Sequence, residues 1–126
     1  MEENGGLTLI TLLARDLFAS GSATFNHTYD QTLVRLADAL DRVPGRVLVT
    51  GHTDDQALRS FRYKDNFELS RERALSVIGV LQPALDDPAR LEHTGKGSSE
   101  PRYRPESQPE NRARNRRVEI IHVRES

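Results

Sequence analysis

The chain has 126 residues, of which 29% are charged and 36% are hydrophobic, and its formal net charge at pH 7 is -1. This length suits a single domain over residues 1–126 with one core, and the near-neutral charge gives no reason to expect nucleic acid as a partner. Cysteine is absent, which excludes disulfides, thiol catalysis and thiolate metal sites. No apolar run approaches the roughly 20 residues of a membrane span.

The first apolar segment, LTLITLLA at residues 7–14, predicts a buried strand with apolar side chains on both faces. It is too short for a signal peptide and lacks a preceding positive region. If the protein is exported, we expect the exporting segment to lie outside this chain.

An amphipathic helix is predicted next, because apolar residues recur at intervals of three and four: Leu33, Leu36, Ala37, Leu40 and Val43. Thr28 and Gln31 have the spacing of a capping box, and Pro44-Gly45 ends the helix. The β-branched run at residues 46–50 then predicts an interior strand covered on both faces.

A second helix is predicted with Asp65 or Asn66 as its N-cap and Pro83 beyond its end. Residues 91–97 indicate a weaker strand, the proline-containing stretch after them a loop, and residues 118–123 a final strand. The order is β-α-β-α-β-β. It predicts an α/β, two-layer sandwich with a mixed parallel and antiparallel sheet, in which the last strand joins antiparallel.

Opposite charges flank the central segment of the chain. Asp54 directly follows the interior strand, where ligands tend to bind in open α/β sheets. Asn66, Leu69 or Ser70, and Arg73 share one face near the start of the second helix. Asp54 and Arg73 in a common cleft would bind the ammonium and the carboxylate of an amino-acid-like ligand. An internal Asp54–Arg73 salt bridge is the alternative from spacing alone.

Catalytic and metal sites have weak support. His52, His93 and His122 lack a metal-ligand spacing, and no G-x-S-x-G nucleophile motif is present. We therefore expect no metal, no cofactor and no enzymatic activity. The arginine-rich stretch near the C-terminus is typical of a solvated face.

Three pieces follow one another along the chain: LFASGSATFN at residues 17–26, GHTD with NFELSRERA at residues 51–54 and 66–74, and RARNRRVEI at residues 112–120. Together they resemble an OmpA-like peptidoglycan-binding domain, the module also found in the flagellar stator protein MotB. The loop LRSFRYKDNFELS is similar to the MotB type and to the OmpA-like extension of type VI secretion subunits of the IcmH/DotU kind.

The resemblance implies which residues bind the ligand. Asp54 and Arg73 match the positions that hold the amino and carboxylate groups of diaminopimelate in the peptide stem of the cell wall. Asn66 and Leu69 match supporting positions, and Arg116 matches a further arginine lining the site. The implied protein is a periplasmic domain that anchors an envelope assembly, with a membrane segment outside this chain and with other envelope subunits as partners.

Some residues depart from the family's pattern. Asp55 adds a negative charge after Asp54, which is expected to weaken carboxylate binding, and Lys64-Asp65 leaves the loop less constrained. Ala19, Gly21 and Asn111 also differ. These departures motivate an alternative hypothesis, a structural domain that has lost glycan binding and docks to a protein partner or forms a homodimer.

Overall fold

The computed structural model describes residues 2–4, 6–58, 60 and 62–124, and for residues 2–4 the backbone alone. Gly5, which precedes the first predicted strand, and Arg59 and Phe61 of the long loop lie outside the described residues. The strands are β1 (Glu2–Asn4), β2 (Leu7–Leu13), β3 (Gly45–His52), β4 (Leu91–Gly95) and β5 (Arg117–Arg124). The α-helices are α1 (Ala14–Leu17), α2 (Asp30–Leu40), α3 (Asn66–Leu81) and α4 (Pro109–Asn115).

The described strands form one sheet in the order β1-β2-β5-β3-β4. The final strand, β5, lies between β2 and β3 and is antiparallel to both, whereas β3 and β4 are parallel. The predicted mixed sheet and the antiparallel last strand are therefore confirmed. Because β5 lies beside β3, the residues that follow β3 come close to those that precede β5.

The core lies on one face of the sheet. Val47, Val49 and Val118 are fully buried there, and α2 and α3 contribute Leu33, Ala37, Ala74 and Val77. The opposite face carries the exposed ion pair between Arg46 and Glu92. Our expectation that both faces of β3 are covered is therefore wrong for the first half of the strand, because the molecule has two layers and residues alternate between the faces of a strand. Near the end of β3, Thr50 and His52 are buried on the opposite face as well.

Two glycines allow the N-terminal half of α3 to lie against the strand ends. A Cβ added at Gly51 would collide with the backbone carbonyl of Ser70, and one added at Gly95 would lie 2.6 Å from the carbonyl oxygen of Phe67. A side chain at either position would force the helix away from the sheet. This close approach brings the first turns of α3 beside the residues that follow β3.

The predicted helix starts differ in accuracy. Asp65 caps α3, because its carboxylate accepts a hydrogen bond from the backbone N–H of Glu68 at 2.9 Å. The capping box of Thr28 and Gln31 is wrong, since α2 begins at Asp30 after a 3-10 turn. Asn26 caps that turn by accepting from the N–H of Thr28.

Three of the strands and α-helices given above lie where no element was predicted. They are β1, α1 and α4, and α4 falls inside the proline-containing stretch that we predicted as a loop. Among the described residues, no helix is both long enough and apolar enough to cross a membrane.

Candidate ligand-binding cleft

A cleft of about 500 Å³ opens at the end of β3, beside the start of α3 and the residues that precede β5. All five residues predicted to bind a ligand line this cleft: Asp54, Asn66, Leu69, Arg73 and Arg116. Other lining residues come from α1 and the turn after it, among them Arg15, Phe18, Ala19, Ser20 and Gly21. The structure thus gathers four separate parts of the chain around one opening.

Asp54 is largely buried at the floor of the cleft, with 7% of its surface exposed. One carboxylate oxygen, Oδ1, accepts a hydrogen bond from the backbone N–H of Gln56 at 3.0 Å. The other, Oδ2, accepts from Nη1 of Arg116 at 2.5 Å. The negative charge of Asp54 is therefore oriented by its own loop and by the arginine that precedes β5.

Arg73 projects from α3 into the same cleft and is 4% exposed. Its Nε donates to the carbonyl oxygen of Ser22 at 2.8 Å, and its guanidinium carbon lies 5.3 Å from the ring centroid of Phe18. Within the described part of the chain, neither terminal nitrogen of Arg73 has a hydrogen-bond acceptor, and no ion pair joins Arg73 to Asp54. The internal salt bridge that spacing left open is therefore not formed.

The electrostatic environment of Arg73 favours an anion. Burial lowers the pKa of Arg73 to about 10, and the nearby positive charge of Arg116 contributes to the decrease. At neutral pH the side chain is still a cation, but one that has lost much of its hydration. A carboxylate that enters the cleft would restore the missing interactions of this cation.

Asn66 and Leu69 complete the wall formed by α3. Asn66 donates from Nδ2 to the carbonyl oxygen of Gln56 at 2.9 Å, which holds the loop after β3 against the helix. Leu69 is 4% exposed and supplies an apolar surface. The predicted common face of Asn66, Leu69 and Arg73 is present, whereas Ser70 turns towards β4 and accepts from the N–H of Gly97.

Asp55 does not line the cleft. Its carboxylate accepts a hydrogen bond from Nε of Arg112 at 2.8 Å, and this bond lowers the pKa of Asp55. Arg112 neutralises this charge locally, which reduces the repulsion that we expected between Asp55 and a ligand carboxylate. Arg112 and Arg116 contact the successive aspartates Asp55 and Asp54. The arginine-rich stretch is therefore not wholly a solvated face, because part of it binds the loop after β3.

Several lining residues were missed from the sequence. Phe18 falls within the segment LFASGSATFN, whose resemblance to a family turn was the available signal. Arg15 lies in α1, an element that was not predicted, and no pattern in the sequence indicated it. Gln56 acts chiefly through its backbone, which no side-chain motif can reveal.

Among the residues that the structure describes, no three or more His, Asp or Glu side chains lie together in an arrangement that could hold a metal ion. His52 forms a hydrogen bond with Glu119, and His122 forms one with the carbonyl oxygen of Pro44. These two histidines therefore have structural partners.

A two-layer sandwich with β5 inserted between β2 and β3, and with a charged cleft at the end of β3, defines an OmpA-like domain. A model of the OmpA family matches residues 17–116 of the chain, and the chain belongs to that family. Domains of this kind are non-catalytic.

Curated relatives include two motility proteins B. The protein from Helicobacter pylori is 38% identical over 89 residues, which are 69% of this chain and 34% of that protein. The protein from Bacillus subtilis is 32% identical over 119 residues, which are 90% of this chain and 44% of that protein. The chain thus spans less than half the length of these curated relatives.

Two solved structures share the fold closely. The cell wall anchor of the type VI secretion system from Pseudomonas aeruginosa superposes with a TM-score of 0.86 and 39% identity, covering 94% of this chain and 82% of that one. The periplasmic domain of Helicobacter pylori MotB gives a TM-score of 0.88 and 30% identity, covering 99% of this chain and 81% of that one.

Proposed function

We propose that the chain binds peptidoglycan through the diaminopimelate of the stem peptide and so anchors an envelope-spanning assembly, such as a type VI secretion system, to the cell wall. One observation carries the proposal. Asp54 and Arg73 present opposite charges to one cleft of about 500 Å³ without pairing with each other. An amino-acid centre, with its ammonium and its carboxylate, matches this arrangement.

Each side chain has a role that its contacts support. The carboxylate of Asp54 binds the ligand ammonium, and the two terminal nitrogens of Arg73 donate to the ligand carboxylate. Arg116 orients Asp54 and adds a second positive charge beside the carboxylate site. Asn66 keeps the loop closed against α3, and Leu69 packs against the aliphatic part of the ligand.

The relatives support the anchoring role and the location. One relative is described as the cell wall anchor of a type VI secretion system, and another as a periplasmic domain of MotB. By analogy, the chain is a periplasmic domain whose membrane anchor is supplied by another segment of the protein, and its protein partners are other subunits of the envelope assembly.

Calorimetric titration with a diaminopimelate-containing stem peptide tests the site. We expect binding by the native domain and a loss of at least about tenfold in affinity for Asp54→Ala or for Arg73→Ala, because each removes one charged contact. Arg46→Ala is the matched control, since it removes an arginine in an exposed ion pair on the opposite sheet face. A peptide with lysine in place of diaminopimelate lacks the second carboxylate and should bind weakly.

Retention on purified sacculi gives a second measurement. Equal retention of the native domain and of an Asp54→Ala, Arg73→Ala double variant would contradict the proposed site. The alternative, a docking or homodimeric domain that has lost glycan binding, predicts no peptide binding together with a concentration-dependent dimer in sedimentation. The pairing of Asp55 with Arg112 weakens the charge argument that motivated this alternative.

A further inference from the structure

A buried polar cluster lies on the sheet face opposite the helices. It consists of His52, Arg117 and Glu119, which are 3%, 2% and 8% exposed. Burying charged groups in a sheet is costly, and well-packed apolar side chains of similar volume are often equally stable or more so. Stability alone therefore does not explain why charged groups occupy these positions.

Glu119 connects the other two members of the cluster. One oxygen, Oε1, accepts a hydrogen bond from Nε2 of His52 at 3.1 Å, and the other, Oε2, accepts from Nε of Arg117 at 2.9 Å. The second ring nitrogen of His52, Nδ1, is buried and has no described partner. The orientation of the imidazole therefore depends on Glu119.

Arg117 also fixes the backbone that leads to the cleft. Its Nη1 donates to the carbonyl oxygen of Asn115 at 3.1 Å, and its Nη2 donates to that of Glu100 at 3.0 Å. All three guanidinium nitrogens of Arg117 are thus engaged. Asn115 and Arg117 are both buried and bracket Arg116, whose side chain is 35% exposed and turns to Asp54.

The cluster lies at the end of the sheet, where the chain segments that carry Asp54 and Arg116 join β3 and β5. His52 and Arg117 form the last register pair between β3 and β5. Two residues beyond His52 is Asp54, and one residue before Arg117 is Arg116. A change in the orientation of this pair would therefore move both charged groups of the cleft together.

We infer that the His52–Glu119–Arg117 cluster is a positioning device, which holds Asp54 and Arg116 in the geometry needed to bind the stem peptide. The inference rests on the proposed function. None of the three side chains lines the cleft, so each acts through Asp54 or Arg116 and not on the ligand.

Two variants separate positioning from folding. Glu119→Gln removes the charge that joins His52 to Arg117 and keeps the shape. The double change Arg117→Met with Glu119→Leu replaces both charges by apolar groups and tests the inference if Glu119→Gln does not fold. We expect both to weaken binding of the diaminopimelate peptide by roughly tenfold, by analogy with the loss of affinity when the partners that orient metal ligands are removed. Glu92→Gln, an exposed change on the same sheet face, should bind as the native domain does.

A double-mutant cycle distinguishes positioning from a general loss of structure. If Glu119 acts through Arg116, then Glu119→Gln should cost less than about twofold in affinity when Arg116 is already alanine. An unchanged cost in that background would overturn the inference, and so would native affinity in the folded apolar variant.

A measurement without ligand keeps this inference separate from the proposed function. Rotation of the Arg116 guanidinium, followed by nitrogen-15 NMR, should be slow in the native domain because Nη1 is bonded to Asp54, and faster in Glu119→Gln. If the native domain binds no peptide, the proposed function fails, and this rotation rate still decides whether the cluster holds the ion pair. Equal rates would overturn the positioning role.

Discussion

Under the proposed function, Arg73 determines which ligands the cleft accepts, because it is the buried cation whose terminal nitrogens no described residue occupies. With a neutral group at this position, Asp54 would still be balanced by Arg116, and the cleft would then have no unmet buried charge. The proposed recognition of a carboxylate therefore depends on a side chain that contributes little to the core.

Arg73→Lys and Arg73→Met test whether Arg73 acts in ligand binding and contributes little to the stability of the fold. Lysine keeps the charge but cannot form two parallel hydrogen bonds, so affinity for the stem peptide should fall by roughly tenfold, and methionine should abolish detectable binding. The stability cost of Arg73→Met should stay within about 2 kcal/mol, since it removes one hydrogen bond to the Ser22 carbonyl and also relieves a buried charge. Thermal melts together with titrations measure both quantities. A larger stability loss with native affinity would make Arg73 a structural residue.

Glu119 predicts a pH dependence of stability. Burial alone would raise the pKa of Glu119, but the hydrogen bonds from His52 and Arg117 outweigh that effect and lower the pKa to about 2 from the ordinary value of 4.5. A carboxyl group with a depressed pKa stabilises the fold above its unfolded pKa and loses that contribution as pH falls. On the order of 3 kcal/mol should disappear between about pH 4.5 and pH 2.

Urea titrations at several pH values check this expectation. The native domain should lose stability more steeply than Glu119→Gln below pH 4.5, because the variant lacks the titrating group. Parallel pH profiles for the two proteins would show that Glu119 does not make the contribution assigned to it.

At the scale of the secondary-structure elements, the packing of α3 against the sheet depends on Gly51. Gly51→Ala should destabilise the domain by at least about 2 kcal/mol, because the new methyl group meets the backbone carbonyl of Ser70 and the helix has to move. Gly79→Ala is a matched control within α3 itself, where a Cβ meets nothing within 4 Å. It should stabilise the domain by about 0.5–1 kcal/mol through helix propensity. Chemical denaturation of the two variants compares them, and equal effects would contradict the proposed close approach.

Asn115 at the end of α4 holds the preceding loop. Its Oδ1 accepts hydrogen bonds from the backbone N–H groups of Arg102 and Tyr103, and its Nδ2 donates to the carbonyl of Tyr103. Asn115→Ala should cost about 2–4 kcal/mol, because it leaves backbone groups without partners. Asn115→Asp keeps both acceptor bonds but places a buried carboxylate oxygen against the carbonyl oxygen of Tyr103, so it should also destabilise the domain. A loss below about 1 kcal/mol for alanine in denaturation experiments would refute this explanation.

The sequence predicted the elements whose signal is local. The stripe of α3, the Asp65 cap and the apolar run of β3 all follow from spacing and residue type within one segment. Helix α4 has no apolar stripe, and Arg112 and Arg116 stabilise it through contacts with Asp55 and Asp54 far away in the chain. Such an element cannot be predicted from its own residues. For the same reason, the sequence placed Asp54 and Arg73 correctly in one cleft but did not identify Arg116 as the direct partner of Asp54.

On the scale of the whole molecule, charge is distributed unevenly although the net charge is only -1. Among the described residues, the cleft is lined by the cations Arg15, Arg73 and Arg116 and by one acid, Asp54. The acids that balance the total lie elsewhere, many of them in exposed ion pairs such as Arg46–Glu92. A positive cleft on a nearly neutral protein attracts anionic peptide locally, without making the whole surface adhere to polyanions.

This distribution predicts how binding responds to salt. The Debye length falls from ~30 Å at 0.01 M to ~8 Å at 0.15 M, so attraction between an open, positively charged cleft and an anionic peptide weakens over that range. We expect the dissociation constant of the stem peptide to rise severalfold, mainly through slower association. Arg15→Gln should flatten the response with little change in affinity at high salt, because Arg15 is exposed at the rim while Arg73 is buried. Stopped-flow titrations at increasing salt concentration measure both rates. If affinity did not depend on salt, apolar contacts such as those of Leu69 would have to dominate recognition, and the pairing of opposite charges would be secondary.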